Sequence, residues 1–147
     1  APGMGFALPE RIPLKGWRHL STPEAQAQVH RHNLMALMLQ RPESLDDLAL
    51  SLHIANVQRD RMPRRRLSST DIVAQTLPRL KCRISAIYGE HDALYRSRLP
   101  EVHLAMQAWA QKWEQWHTVP RAGHWVQFED VILFNEALLL ALNSHQV

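Results

Sequence analysis

Across residues 20–77 the apolar positions recur every three to four residues, and only after Leu77 does the spacing change. Ser21-Thr22-Pro23-Glu24 predicts a helix start, with a hydroxyl cap, Pro in the first turn and an acid close behind. Val29, Leu34, Leu37 and Met38 carry that helix to about Leu39, where Arg41-Pro42-Glu43 interrupts it. Ser44 with Asp46 and Asp47 caps a second helix, whose face is expected to be Leu45, Leu48, Leu52 and Ala55. It should fray into an Arg run near Met62, and a short helix from about Ser69 to Thr76 precedes Pro78. The first twenty residues, rich in Gly and Pro, read as loop.

The later texture is that of alternating strands and helices. Cys82 to Tyr88 is a short apolar run ended by Gly89, which suits a buried strand. Pro100 to Trp113 is amphipathic, with Val102, Ala105, Met106 and Trp109 on one face. Glu114 to Val119 reads as a second strand closed by Pro120, and Glu129 to Leu142 as a last helix apolar enough to be buried on most of its surface. Strand–helix–strand–helix at this spacing is a βαβα unit with parallel strands, so the fold class is α/β. Two parallel strands make a poor sheet by themselves, because parallel sheets need several strands and helices on both faces. A partner is therefore expected to flank them: a missing N-terminal half or a second copy of the chain. Ala1-Pro2-Gly3 looks like the exit from a strand left behind, and a start at Ala1 rather than Met suggests processing or trimming.

Composition narrows the possibilities further. At 147 residues and 46% hydrophobic content the chain can bury one ordinary core and is not a disordered tail. No stretch approaches the ~20 apolar residues that would span a bilayer. The single cysteine, Cys82, allows no internal disulfide and no thiolate cage, so a cytoplasmic setting is the expectation. His30 and His32 would point about 200° apart on a helix and could not share a metal there, so no metal and no cofactor is expected. The net charge of +3 includes five arginines between Arg59 and Arg66. Such a run would suit an anionic partner, yet no aromatic residues interleave with it. A solvated helix end, with Arg stems lying over apolar surface, is the simpler account, and no nucleic-acid partner is expected.

Two residues stand where α/β sheets place their chemistry, just beyond strand C-termini. Asp92 follows the first strand in Tyr88-Gly89-Glu90-His91-Asp92, and His124 follows the second in Arg121-Ala122-Gly123-His124-Trp125. Gly89 is expected to permit a sharp exit, and Gly123 to let the backbone turn so that the imidazole points back. A carboxylate beside an imidazole fixes its tautomer and stabilises its protonated form, which is the base half of a nucleophile–His–acid triad. A turn Asp and a surface His are each common singly; on consecutive parallel strands the pair points to chemistry.

IYGEHD, then a helix, then GHWVQFE about thirty residues on resembles the C-terminal half of an α/β-hydrolase. It is similar to the carbon–carbon-bond hydrolases of aromatic meta-cleavage pathways and their esterase-like relatives. The resemblance implies a strand exit and loop over 1–19, a helical cap over 20–77, and the end of the parallel core over 78–147. It implies Asp92 as catalytic acid and His124 as catalytic base. Trp125 would line the pocket, although packing under the last helix explains it as readily. Arg59 resembles the cap arginine that meets an acidic dienol-acid substrate. The implied partner of the parent enzyme is a small ester or dienol-acid-like molecule.

The resemblance is incomplete at its centre. Such enzymes carry the nucleophile in a G-x-S-x-G elbow ahead of the acid and the His, and no such motif occurs here. Ser68 and Ser69 lack flanking glycines, Ser85 is mid-strand, and the strands that would supply oxyanion-hole amides are absent. The expectation is a fragment with two thirds of a triad and no hydrolysis by itself. Two alternatives stay open: a non-catalytic dimerising or anion-binding module, and a parent with an Asp nucleophile, as in epoxide hydrolases and dehalogenases.

Overall fold

The computed structural model describes residues 4–6, 12–60 and 70–143. Helices α1 (Pro23–Leu37), α2 (Asp47–Arg59) and α3 (Ile72–Thr76) come first. Strand β1 (Ile84–Gly89), α4 (Leu99–Trp109), β2 (Trp113–Val119), α5 (Val126–Glu129) and α6 (Val131–Asn143) follow. The protein is thus mixed α/β, with six α-helices and one two-stranded parallel sheet among the described residues. The start Ala1-Pro2-Gly3 and the arginines from Arg61 to Arg66 lie outside those residues.

Local signals explain the helix starts. Thr22 caps α1 by accepting from Ala25 N, with Pro23 in the first turn, and Asp46 rather than Ser44 caps α2 by accepting from Ala49 N at 2.7 Å. The face of α2 differs from the expected one. Ala49 and Leu50 are buried, whereas Leu48 and Leu52 are 59% and 43% exposed. Ala49 and Leu50 pack in one cluster with Leu34 of α1, while Leu48 and Leu52 turn outward. Leu34, Leu39, Ala49 and Leu50 form the core of this helical half.

The second half is built on β1 and β2. They pair in parallel from Ile84↔Trp113, and an irregularity after Ile84 then carries the register on to Gly89↔Val119, so the C-terminal ends of the strands coincide. Met4, Leu77, Ala86, Tyr95, Leu99, Val102 and Met106 form the core between the sheet and α4. Helix α4 stops at Trp109, four residues before the expected end, and Trp113 already belongs to β2. A smaller cluster of Val119, Ala122 and Val126 packs with Ile87 and with Phe134 of α6.

Helix α6 corrects a second expectation. Its apolar residues face mostly outward: Ala137 is buried, while Ile132 is 68% and Leu140 59% exposed. The composition of a core helix is present, but no layer among the described residues covers it. The same holds for β1, which is only partly buried because β2 flanks a single edge of it among those residues.

Candidate active site

The matched ends of β1 and β2 bring two loops to the same edge of the sheet. The ladder continues beyond the strands: Glu90 N donates to Val119 O and His91 N to Ala122 O, both at 2.9 Å. Asp92 is 3% exposed, and its Oδ1 accepts from Leu94 N at 2.9 Å, an Asx turn that fixes its rotamer. Its Oδ2 is left to His124, whose Nδ1 lies 2.8 Å away. The His124 side chain is 17% exposed, so the ring sits at the boundary between core and solvent. The structure brings these two residues together over a separation of 32 positions.

Glycine serves this geometry by absence of bulk rather than by left-handed backbone. A Cβ on Gly89 would lie 2.1 Å from the Gly123 carbonyl oxygen and 2.4 Å from that of Ala122. The left-handed turn falls instead on Arg121, with φ of 57°, whose N donates to Glu90 Oε2 at 2.9 Å. Gly123 is needed for close approach as well, since a Cβ there would meet Gln40 N and Met38 O at 2.9 and 3.0 Å.

Two tyrosines back the acid. Tyr95 packs edge-on against Tyr88 at 5.7 Å, and Tyr88 stacks on Trp116 at 4.8 Å. Burial, with the Asp92 charge nearby, pushes the Tyr95 hydroxyl up to about 12. Burial raises Tyr88 further, with Tyr95 and Asp92 adding to it. Both are neutral hydroxyls around a buried carboxyl group.

The other candidates are placed differently. Trp125 is half-buried, lies tilted against Phe128 at 5.5 Å and packs against the core of the helical half. Arg59 ends α2 with its side chain exposed and makes no hydrogen bond or ion pair with Asp92 or His124 among the described residues. Ser85 lies inside β1, and Ser68 and Ser69 lie outside the described residues. No group of three or more metal-ligating side chains occurs among the described residues.

Glu129 is the residue that sequence reasoning passed over. It is 5% exposed at the end of α5. Its Oε1 accepts from Gln40 N and Arg41 N, each at 2.8 Å, and its Oε2 accepts from Gly123 N. The signal was an acid between Phe128 and the apolar run that begins at Val131, where a buried charge is costly unless it is satisfied.

The architecture can be set against known proteins. No family model matches the sequence, and no curated protein matches it. Among solved structures, a serine hydrolase from the polyaromatic-hydrocarbon-degrading bacterium Cycloclasticus zankles is similar, with a TM-score of 0.57 at 20% identity. The likeness is one of fold. It covers 98% of this chain and 53% of that one, so the chain spans about half the length of the structure it matches. The mixed α/β architecture of the described residues is consistent with the fold of that hydrolase. No described helix is long and apolar enough to cross a membrane.

Proposed function

We propose that this chain carries the acid and the base of a serine-type α/β-hydrolase, acting on ester or carbon–carbon bonds through an acyl-enzyme, with the helices of residues 20–77 as its cap. The observation that supports this most is the 2.8 Å contact between His124 Nδ1 and the buried Asp92 Oδ2 beyond adjacent parallel strands. In that role Asp92 accepts a hydrogen bond from Nδ1–H and fixes the tautomer, leaving Nε2 to take a proton from the nucleophile and return it to the leaving group. As the ring gains charge, the carboxylate it faces stabilises the imidazolium.

The nucleophile belongs to a polypeptide segment other than the one described, and that defines the test. The coding sequence ahead of Ala1 is expected to contain a G-x-S-x-G elbow. The protein so extended should hydrolyse a nitrophenyl ester, and His124→Ala should lower kcat by about 10⁴-fold or more. An upstream sequence without an elbow, or turnover indifferent to His124, refutes the assignment.

A further inference from the structure

Glu129 joins the helical half to the loop that carries His124. Its carboxylate spans from Gln40 N and Arg41 N, just beyond α1, to Gly123 N, the residue before the base. A second strap lies on the other side of His124, where Trp125 N donates to Met38 O at 2.8 Å. Gly123 makes this approach possible, since Met38 O and Gln40 N leave no room for a Cβ. Residues 38–41 are therefore tied to both sides of His124 in sequence, directly at Trp125 and through the Glu129 carboxylate at Gly123.

We infer that Glu129 is a positioning residue: it sets the His124 ring against Asp92 and ties that setting to residues 38–41 of the helical half. The carboxylate suits this because it is acceptor-only with two oxygens, and three backbone N–H groups converge on it. A carboxamide would turn an NH₂ donor toward at least one of those N–H groups. If Gln40 and Arg41 kept the oxygen, Gly123 N would face the donor, and the loop before His124 would be freed. A displacement of residues 38–41 thus reaches His124 through the backbone on which the ring is carried. The inference takes its importance from the proposed role of His124 as base, but the geometry it concerns can be measured without turnover.

The test compares the full chain with Glu129→Gln and Glu129→Asp, using Asp92→Asn as reference. The two readouts are NMR signals of the His124 ring and amide hydrogen exchange. Glu129→Gln is expected to move the His124 ring signals toward those of Asp92→Asn. It should also speed exchange by about 10-fold at whichever of Gly123, Gln40 and Arg41 lose the oxygen, as for a lost buried hydrogen bond, while the β1 amides stay within about twofold. Glu129→Asp, one methylene shorter, should give a smaller change in the same direction. Unchanged His124 signals in the presence of a released amide at Gly123, Gln40 or Arg41 would overturn the inference. So would loss of β1 protection in both variants, because Glu129 would then hold the fold as a whole. A failure of the hydrolase assignment would appear in the upstream sequence and in ester turnover, and would leave these signals as they are.

Discussion

Gly89 and Gly123 meet at the ends of the two strands so closely that a Cβ on the first would sit 2.1 Å from the carbonyl oxygen of the second. Each glycine precedes a member of the Asp92–His124 pair, so the contact sets how near the two loops can come. Gly89→Ala must push those loops apart or shift the strand register. We expect a loss of about 3 kcal/mol or more in stability, as for overpacking against fixed backbone. Chemical denaturation measures that loss, and a variant as stable as the parent would contradict the close approach.

The helical half should be acid-sensitive. His30 is 2% exposed, with its ring 4.8 Å from that of Trp17 and 5.3 Å from that of His53, and its Nδ1 has no hydrogen-bond partner among the described residues. Burial lowers the His30 pKa below the ordinary 6.5, and burial followed by the His30 charge lowers that of His53. The unfolded chain therefore binds more protons than the folded one as the pH falls through 6.5. Stability should be fully present above that value and decline below it until the folded-state values are reached. The urea midpoint should be lower at about pH 5.5 than at about pH 7.5, and His30→Phe should flatten the difference. A midpoint equal at both pH values in the parent chain would refute this.

Asp46 holds the first turn of α2 through its 2.7 Å bond from Ala49 N, and Ala49 is fully buried in the cluster shared with Leu34 of α1. Asp46→Ala should cost about 1 kcal/mol and lower the Tm by a few degrees. Ser44→Ala should cost less, because Asp46 supplies the cap. Thermal unfolding of the two variants side by side decides the order.

If the nucleophile and the oxyanion-hole amides lie on another segment, as proposed, the 147-residue chain alone should not turn over a nitrophenyl ester above background. Turnover abolished by His124→Ala would mean that another group in this chain serves as the nucleophile.

The outward apolar residues of α6, with Ile132 68% exposed, make the chain alone prone to association. Material purified by itself should sediment heavier than 17.0 kDa. A monodisperse, cooperatively folded species of that mass would show that α6 and the β1 edge need no cover.

The sequence by itself determined what depends on near neighbours along the chain. Thr22-Pro23 and Asp46 start their helices through bonds spanning three residues, and the apolar run around Ile87 and the segment from Glu114 to Val119 become strands of the expected order and direction. Asp92 and His124 were legible as a pair because each lies just after a strand, and parallel strands bring their C-terminal ends to one edge. What the tertiary structure decided depends on which surfaces meet. Periodicity specifies an apolar stripe but not its partner, so the buried face of α2 turned from Leu48 and Leu52 to Ala49 and Leu50, which pack in one cluster with Leu34 of α1. The richly apolar α6 lies mostly uncovered for the same reason: burial requires an opposing layer, which composition does not supply. Glu129 marks the clearest division, because its three donors come from residues 40, 41 and 123, up to 89 positions away. Only the folded backbone could bring those N–H groups to one carboxylate.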